Sequence, residues 1–315
     1  MVLVILRRIG VFATTGIVAS IVTFLLLAIL PGNAARIALG VQATEADVAA
    51  QATAMGLDRP AVVRYLDWIG HVVVGDFGTS TVSRQPIGPD IADALGITVI
   101  LVLTSVVLAL LFAIPFGILT AVRQRGPDGA IFSGISQIGV AVPGFLAGLL
   151  LVTVFAVTLR WLPAGGWVDP ADDFSGFMEH LILPAIALGS VQGAVLSRYV
   201  RSAVLDVMRD DFMRTARAKG LGTARALFRH GLRNAAVPVM TVLGLQIATL
   251  LIGAVVIERV FSIPGLGSLL LDKVALRDLP AVQGIVLVLV VFVLVLNFLV
   301  DLAFTVIDPR LRSAS

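Results

Sequence analysis

The sequence predicts an all-α integral membrane protein of six transmembrane helices, and three observations carry that reading. Hydrophobic residues make up 58% of the 315-residue chain and charged residues only 14%, with a mean hydropathy of +1.02. A soluble domain has roughly a quarter of its residues charged, so a shortfall this large leaves much of the surface to lipid. Six apolar stretches reach the roughly 20 residues that a helix needs to cross the hydrocarbon core. Basic residues, finally, gather in alternate connections between those stretches.

The six stretches are Ile9–Leu30, Ile97–Val122, Ile131–Leu159, Leu181–Val200, Val237–Ile257 and Ala281–Ile307. The first follows Arg7 and Arg8, as the core of a signal peptide would. Its length exceeds a typical signal-peptide core, and five more spans follow, so it reads as a retained helix. Gly144 and Gly148 in the third span, and Gly189 and Gly193 in the fourth, stand at the small-residue spacing that lets helix backbones approach. Pro115, Pro143 and Pro184 lie in or near the spans and are expected to kink them.

Lys and Arg concentrate in cytoplasmic loops. The segment Arg198–Arg233 holds nine basic residues against three acids (Asp206, Asp210 and Asp211). Arg7 and Arg8, Arg123 and Arg125, and Arg310 and Arg312 mark the N-terminus, the connection after the second span and the C-terminal tail. Conversely, Pro31–Gly96 carries seven acids and four bases, and Arg160–His180 four acids and one base. This pattern places both termini in the cytoplasm and three connections outside. The chain thus divides into an N-terminal end with the first helix (1–30), an extracytoplasmic segment (31–96) and a five-helix core (97–315).

Within the outer segment, Thr44–Met55 reads as a short helix, with Thr44 as N-cap, acids in the first turn and Gly56 closing it. A second helix is expected to start at Pro60 in its first turn and to run through Tyr65 and Trp68. Gly75-Asp76-Phe77-Gly78-Thr79-Ser80 then reads as a tight turn. This small cap could meet a delivery partner or brace the helices.

The inner segment, at about 201–236, is basic and broken by Gly220, Gly222 and Gly231. It predicts two short amphipathic helices, one ending near Lys219 and another over Thr223–His230. A loop of this length with helical content reads as a docking surface for a cytosolic protein.

Two stretches of that segment make it recognisable. Arg214-Thr215-Ala216-Arg217-Ala218-Lys219-Gly220, followed by His230-Gly231-Leu232-Arg233-Asn234-Ala235-Ala236-Val237-Pro238, resembles the cytoplasmic coupling loop of binding-protein-dependent ABC importer permeases. The general pattern there is Glu-Ala-Ala, three residues, then Gly. Here Arg214 stands for the Glu and Thr215 for the first Ala, whereas Ala216 and Gly220 match. These departures are similar to the dipeptide/oligopeptide branch. Gly56-Leu57-Asp58-Arg59-Pro60, Arg64-Tyr65, Trp68 and the Gly75–Ser80 turn look like the outer segment of its B-type subunit. Glu258, Phe261, Pro264-Gly265-Leu266-Gly267, Arg277-Asp278, Pro280, Gln283-Gly284 and Asp308-Pro309-Arg310 also fit.

The resemblance implies a type I ABC importer permease in the bacterial cytoplasmic (inner) membrane, taking up di- or oligopeptides by alternating access. It implies a second, C-type permease subunit, two cytosolic ATP-binding subunits and an extracytoplasmic substrate-binding protein. Arg214, Thr215, Ala216, Arg217, Ala218, Lys219 and Gly220 would form the ATPase-coupling loop, Gly220 supplying the turn between its helices.

No P-loop is present, because a P-loop needs Gly-Lys before Ser or Thr, and Lys219 follows Ala218 while Lys273 follows Asp272. ATP and magnesium are therefore expected on partner subunits, with no cofactor, metal site or enzyme activity in this chain and no nucleic-acid partner. Cysteine is absent, and His71, His180 and His230 stand in no metal-ligand spacing. Asp301 reads as the one acid well inside a span, either functional or ion-paired near the inner interface. Gln137, Gln246 and Asn297 near mid-membrane are expected to bond between helices. A secondary transporter would show internal repeats and more midplane charge. An intramembrane serine hydrolase has only Gly134-Ile135-Ser136 in its favour and no histidine clearly inside another span.

Overall fold

A computed structural model of the chain describes residues 2–29, 36, 39, 43–54, 56–124, 126, 131, 134, 139 and 142–307. Arg125, Gln137, Ile135-Ser136, Asp308-Pro309-Arg310 and Arg312, all singled out above, lie outside the described residues. Among the described residues the ordered elements are helices, and an isolated bridge between Thr79 and Pro86 is the nearest approach to a strand. In chain order they are α1 (Val2–Ile29), α2 (Glu45–Ala54), α3 (Ala61–Val73), α4 (Ile87–Val122), α5 (Gly144–Leu151), α6 (Phe174–Arg209) and α7 (Asp211–Ala218). Then come α8 (Thr223–Ala226), α9 (Leu232–Val260), α10 (Leu266–Ala275) and α11 (Leu279–Ile307).

Among the described residues, five helical runs are long and apolar enough to cross a membrane: α1, α4, α6, α11 and the continuous stretch Thr223–Val260 that contains α9. The third predicted span is described as a shorter apolar helix from Gly144, whose second half, Val152–Thr158, is wound as a π-helix. Several helices extend beyond their apolar stretches, α4 starting at Ile87 and α6 running from Phe174 to Arg209. A helix does not stop where the hydrocarbon does; it stops where a cap ends it. For α6 the start is Asp173, whose carboxylate accepts from the Ser175 N–H at 3.0 Å. Pro115 and Pro184 sit inside α4 and α6 as predicted, but Pro143 immediately precedes α5 and starts that helix instead of bending it.

Contacts group the chain into two units. The first comprises Thr98–Pro264 and the described residues 295–307. In it α9 packs along α6, and α5 packs on both. Gly189 and Gly193 let α4 come close, for a Cβ on Gly189 would lie 2.9 Å from the Ser105 carbonyl and one on Gly193 3.2 Å from the Ala109 carbonyl. The expectation of close backbone packing thus holds for this pair. Ala113, Leu196, Val204, Met213, Leu227 and Ala235 belong to the core of this unit.

The second unit comprises Val2–Ile97 and Gly265–Leu294. The predicted first outer helix is α2, and its start is a reciprocal cap. The Asp47 N–H donates to the Thr44 hydroxyl and the Thr44 N–H to the Asp47 carboxylate, both at 3.2 Å. Leu57 N–H to Ala52 C=O and Gly56 N–H to Thr53 C=O, each 2.9 Å, close its other end. In α3 the first helical residue is Ala61, with Pro60 just outside, one position earlier than expected. The predicted Gly75–Ser80 turn is the first half of a larger loop. That loop closes through Ser80 N–H to Gln85 C=O at 2.9 Å and Ile87 N–H to Gly78 C=O at 3.0 Å. Ile87, Ile91, Leu266, Ala281 and Ile285 are buried together behind it.

Candidate functional site

The basic segment at about 201–236 folds as a helical hairpin. Helix α6 ends at Arg209, Asp210 turns the chain in extended conformation (ψ 150°), and α7 begins at once. The helix α7 shows its core side at Met213 and Ala216, both buried, while Arg214, Thr215, Arg217 and Ala218 face outward. Its end explains the glycine. Gly220 has φ +87°, its N–H donates to Arg217 C=O at 2.9 Å, and the Leu221 N–H reaches back to Ala216 C=O at 3.2 Å. This paired closure needs a left-handed residue, and Leu221 then packs against the core beside Met213 and Ala216. No neighbour lies within 4 Å of a Cβ on Gly220, so backbone conformation, not space, selects glycine.

The second arm differs from the expectation. The stretch Thr223–His230 is not a separate helix: α8 passes through a π-helical turn, Leu227–Gly231, straight into α9. Gly231 is helical (φ −94°, ψ −40°), and a Cβ there would lie 2.7 Å from Leu227 Cδ1 and 3.1 Å from Val207 Cγ1. This glycine serves close packing against Leu227 of the preceding turn and Val207 of α6, which its sequence context did not distinguish from a helix break.

On the outer face of the hairpin, Arg214, Arg217, Lys219, Arg225, Arg229 and His230 are all exposed. Arg214 meets Asp211 at 3.5 Å with both side chains largely in solvent, a pairing that contributes little and leaves its charge accessible. Phe228 stands 64% exposed among these cations. The sequence reading passed over it, although an aromatic residue between basic ones in an otherwise apolar-poor loop was the available signal.

Asp301 is not a buried acid. It lies on α11 with an exposed side chain, six residues before the helix ends at Ile307. Among the described residues the fully buried carboxylates are Glu258 and Asp278. Glu258, in the last turn of α9, accepts from the Thr98 hydroxyl at 2.6 Å. It stands one residue beyond the predicted span, and the sequence marks it as part of the family resemblance but not as a buried acid. Gln246 and Asn297 are half-buried. The Asn297 Oδ1 lies 4.0 Å from the Cβ position of Gly244, which sets it between α11 and α9.

In the second unit, Asp278 clasps the Gly75–Pro86 loop. It accepts from the Ser80 hydroxyl at 2.5 Å and from the Thr81 N–H and hydroxyl at 3.0 Å each. Lys273 Nζ stands 4.0 Å from Asp278 and 3.5 Å from Asp90. Burying a carboxylate demands such partners. Each half of this clasp was visible as a motif, but not their pairing.

Comparison with known proteins agrees with this architecture. Residues 113–313 match the family described as "Binding-protein-dependent transport system inner membrane component". Residues 1–88 match "Binding-prot-dependent transport system membrane comp, N-term". The chain is 41% identical over 307 residues to the glutathione transport system permease protein GsiC of Salmonella choleraesuis (strain SC-B67), covering 97% of each. It is 40% identical over 310 residues to the protein of the same name from Escherichia coli (strain K12), covering 98% of each. The chain therefore belongs to the binding-protein-dependent inner-membrane component family: it is a multi-pass inner-membrane permease subunit of an ABC importer, not itself an ATPase.

Proposed function

We propose that this permease takes up glutathione or a peptide of similar size. The observation that carries this reading is the end-to-end similarity, 40–41% over 97–98% of both chains, to permeases named for glutathione transport. Glutathione is itself a short peptide, and the dipeptide/oligopeptide character of the Arg214–Gly220 segment fits the same class. Such a zwitterion needs a path through the membrane core, and moving it up a gradient needs an energy source.

In this reading both termini are cytoplasmic, and the Arg214–Gly220 hairpin seats on one of two ATP-binding subunits that hold ATP and magnesium. A second, C-type permease completes the path, and an extracytoplasmic binding protein delivers cargo. The burial of Met213, Ala216, Leu227 and Gly231 supports rigid coupling, because a push on α7 is passed to α6 and α9 instead of being absorbed in a loop. Arg214, Arg217 and Lys219 present exposed cations to acidic or carbonyl groups across that joint. ATP-driven closure then switches the bundle between inward-open and outward-open states. Asp301 takes a structural role near the end of α11, consistent with its exposed position.

The test is uptake in proteoliposomes of the co-purified assembly with its binding protein, comparing labelled glutathione, a dipeptide and a pentapeptide. Uptake of glutathione that needs ATP and binding protein, and is lost in Gly220→Trp, supports the reading. A preference for the pentapeptide refutes the cargo, and uptake indifferent to ATP or Gly220 refutes the coupling role.

A further inference from the structure

The helix α3 carries three distinct faces. At 100° per residue, Val62, Leu66, Ile69 and Val73 fall on one stripe, and Arg64, Asp67 and His71 fall on the opposite side. A third face, with Tyr65 and Trp68, meets α1. There the Tyr65 hydroxyl shares a hydrogen bond of 2.8 Å with Ser20, and the Phe24 ring lies 5.6 Å from Tyr65 and 5.9 Å from Trp68. The Arg64 guanidinium caps this cluster, 5.8 Å from the Phe24 ring centre. The apolar stripe has no such cover: Val62, Leu66 and Val73 are exposed, Val73 at 79%, and Val74 just beyond the helix at 80%.

The depth of the contact says what covers the stripe. Ser20 and Phe24 lie inside Arg8–Leu25, the apolar window with which α1 crosses the membrane. Ser20 precedes the end of α1 at Ile29 by nine residues, a rise of about 13 Å. A helix packed at that level of a spanning helix is beside the acyl chains or the headgroup boundary, not out in water. Ile17, Val18, Ile21 and Leu25 of α1 are themselves exposed apolar side chains, so lipid that covers them continues onto α3. A Tyr and a Trp at such a junction are what the interface favours. A helix with a strong apolar stripe opposite charged residues lies in the plane of that boundary.

We propose that α3 is an interfacial helix. Its Val62-Leu66-Ile69-Val73 stripe rests on phospholipid acyl chains in the leaflet at the C-terminal end of α1, and Asp67 and His71 face the aqueous side. The helix thereby fixes the depth of α1 and of the segment that follows it.

The absence of cysteine makes the test direct. Single-cysteine variants Val62→Cys, Leu66→Cys, Val73→Cys, Asp67→Cys and His71→Cys are spin-labelled in the full importer, with cysteine-free partner subunits, in phosphatidylethanolamine–phosphatidylglycerol nanodiscs. Retained transport certifies the fold of each variant. At the three stripe positions, relaxation by oxygen is expected to exceed relaxation by a water-soluble nickel chelate by about twofold or more, with the reverse at Asp67 and His71. Nickel access to the stripe equal to that at Asp67 and His71 would place it in water and overturn the proposal. Stripe labels shielded from both reagents would show a protein partner there, which overturns it equally.

Discussion

Replacing Asp278 by alanine is expected to open the Gly75–Pro86 loop about a hundredfold more often. The carboxylate is fully buried and accepts three hydrogen bonds, from the Ser80 hydroxyl and from the Thr81 N–H and hydroxyl. A hydrogen bond to a charged group contributes about 1.5–3 kcal/mol, and removing one member of a buried ion pair costs about 3–5 kcal/mol. These terms do not add in full. Lys273 keeps Asp90 at 3.5 Å, although that carboxylate is half exposed and holds it weakly, and the freed Thr81 groups reach water once the loop lifts. A net of about 3 kcal/mol follows, which at 1.4 kcal/mol per decade is roughly a hundredfold. Asp278→Asn keeps the shape but not the charge and is expected to give about a tenfold effect. Ser80→Ala should do the same. Hydrogen exchange of residues 78–87 in the assembled importer reads this directly, since Ser80, Arg84 and Ile87 donate the bonds that close the loop. The clasp also requires that the double variant fall short of the sum of the two single effects, because the Ser80–Asp278 contact is common to both, whereas Ser80 alone also accepts from the Val82 and Ser83 N–H groups. Exchange within about twofold of wild type in Asp278→Ala, or fully additive effects, would refute the argument.

Three further expectations follow from the same contacts. Met213 anchors α7 at 1% exposure, and Met213→Ala should cost about 2–5 kcal/mol locally; the number of ATP molecules hydrolysed per cargo transported, measured in proteoliposomes, should rise. A Cβ on Gly165 would lie 2.3 Å from the Phe261 carbonyl oxygen, which also accepts from the Gly166 N–H at 2.7 Å. Gly165→Ala should thus lower the melting temperature of the purified assembly, while Gly222→Ala, with no neighbour within 4 Å and φ −62°, should leave it nearly unchanged. The Gly176 N–H, followed by the Ser175 hydroxyl, holds the Asp173 carboxyl below the ordinary carboxylate range. Its capping of α6 is therefore complete above that range and lost as pH falls through the lowered value. Exchange in the first turn of α6, corrected for intrinsic rates, should rise on acidification in the wild type but not in Asp173→Ala.

The spans were legible because the bilayer imposes a length, and twenty apolar residues admit few other readings. Their ends were not, because the helices continue on cap and turn chemistry after hydropathy has fallen, as Ile87 and Phe174 show. The helix α2 was found at both ends, since Thr44, Asp47 and Gly56 act on neighbours in sequence. In the hairpin, Gly220 and Gly231 looked alike as letters. One answers to a backbone angle, and the other to Leu227 one turn earlier together with Val207 on α6, a contact that neighbours in sequence do not disclose. Asp301 drew attention through its position inside an apolar run, whereas burial belongs to Glu258 and Asp278, whose partners lie 160 and 198 residues away. Separation of that kind leaves no periodic trace.

That last distance has a consequence for how the protein is made. When Ser80 is added to the growing chain, the carboxylate that will hold it is still 198 residues from being synthesised, a delay of roughly 10–40 s at 5–20 residues per second. Until then the Gly75–Pro86 loop has only its own short-range bonds and water. A nascent chain that stalls before Asp278 should keep this loop accessible to protease on the side where it emerges. Closure of the loop thus follows synthesis of the α10–α11 turn, so the last part of the chain to be made secures one of the first.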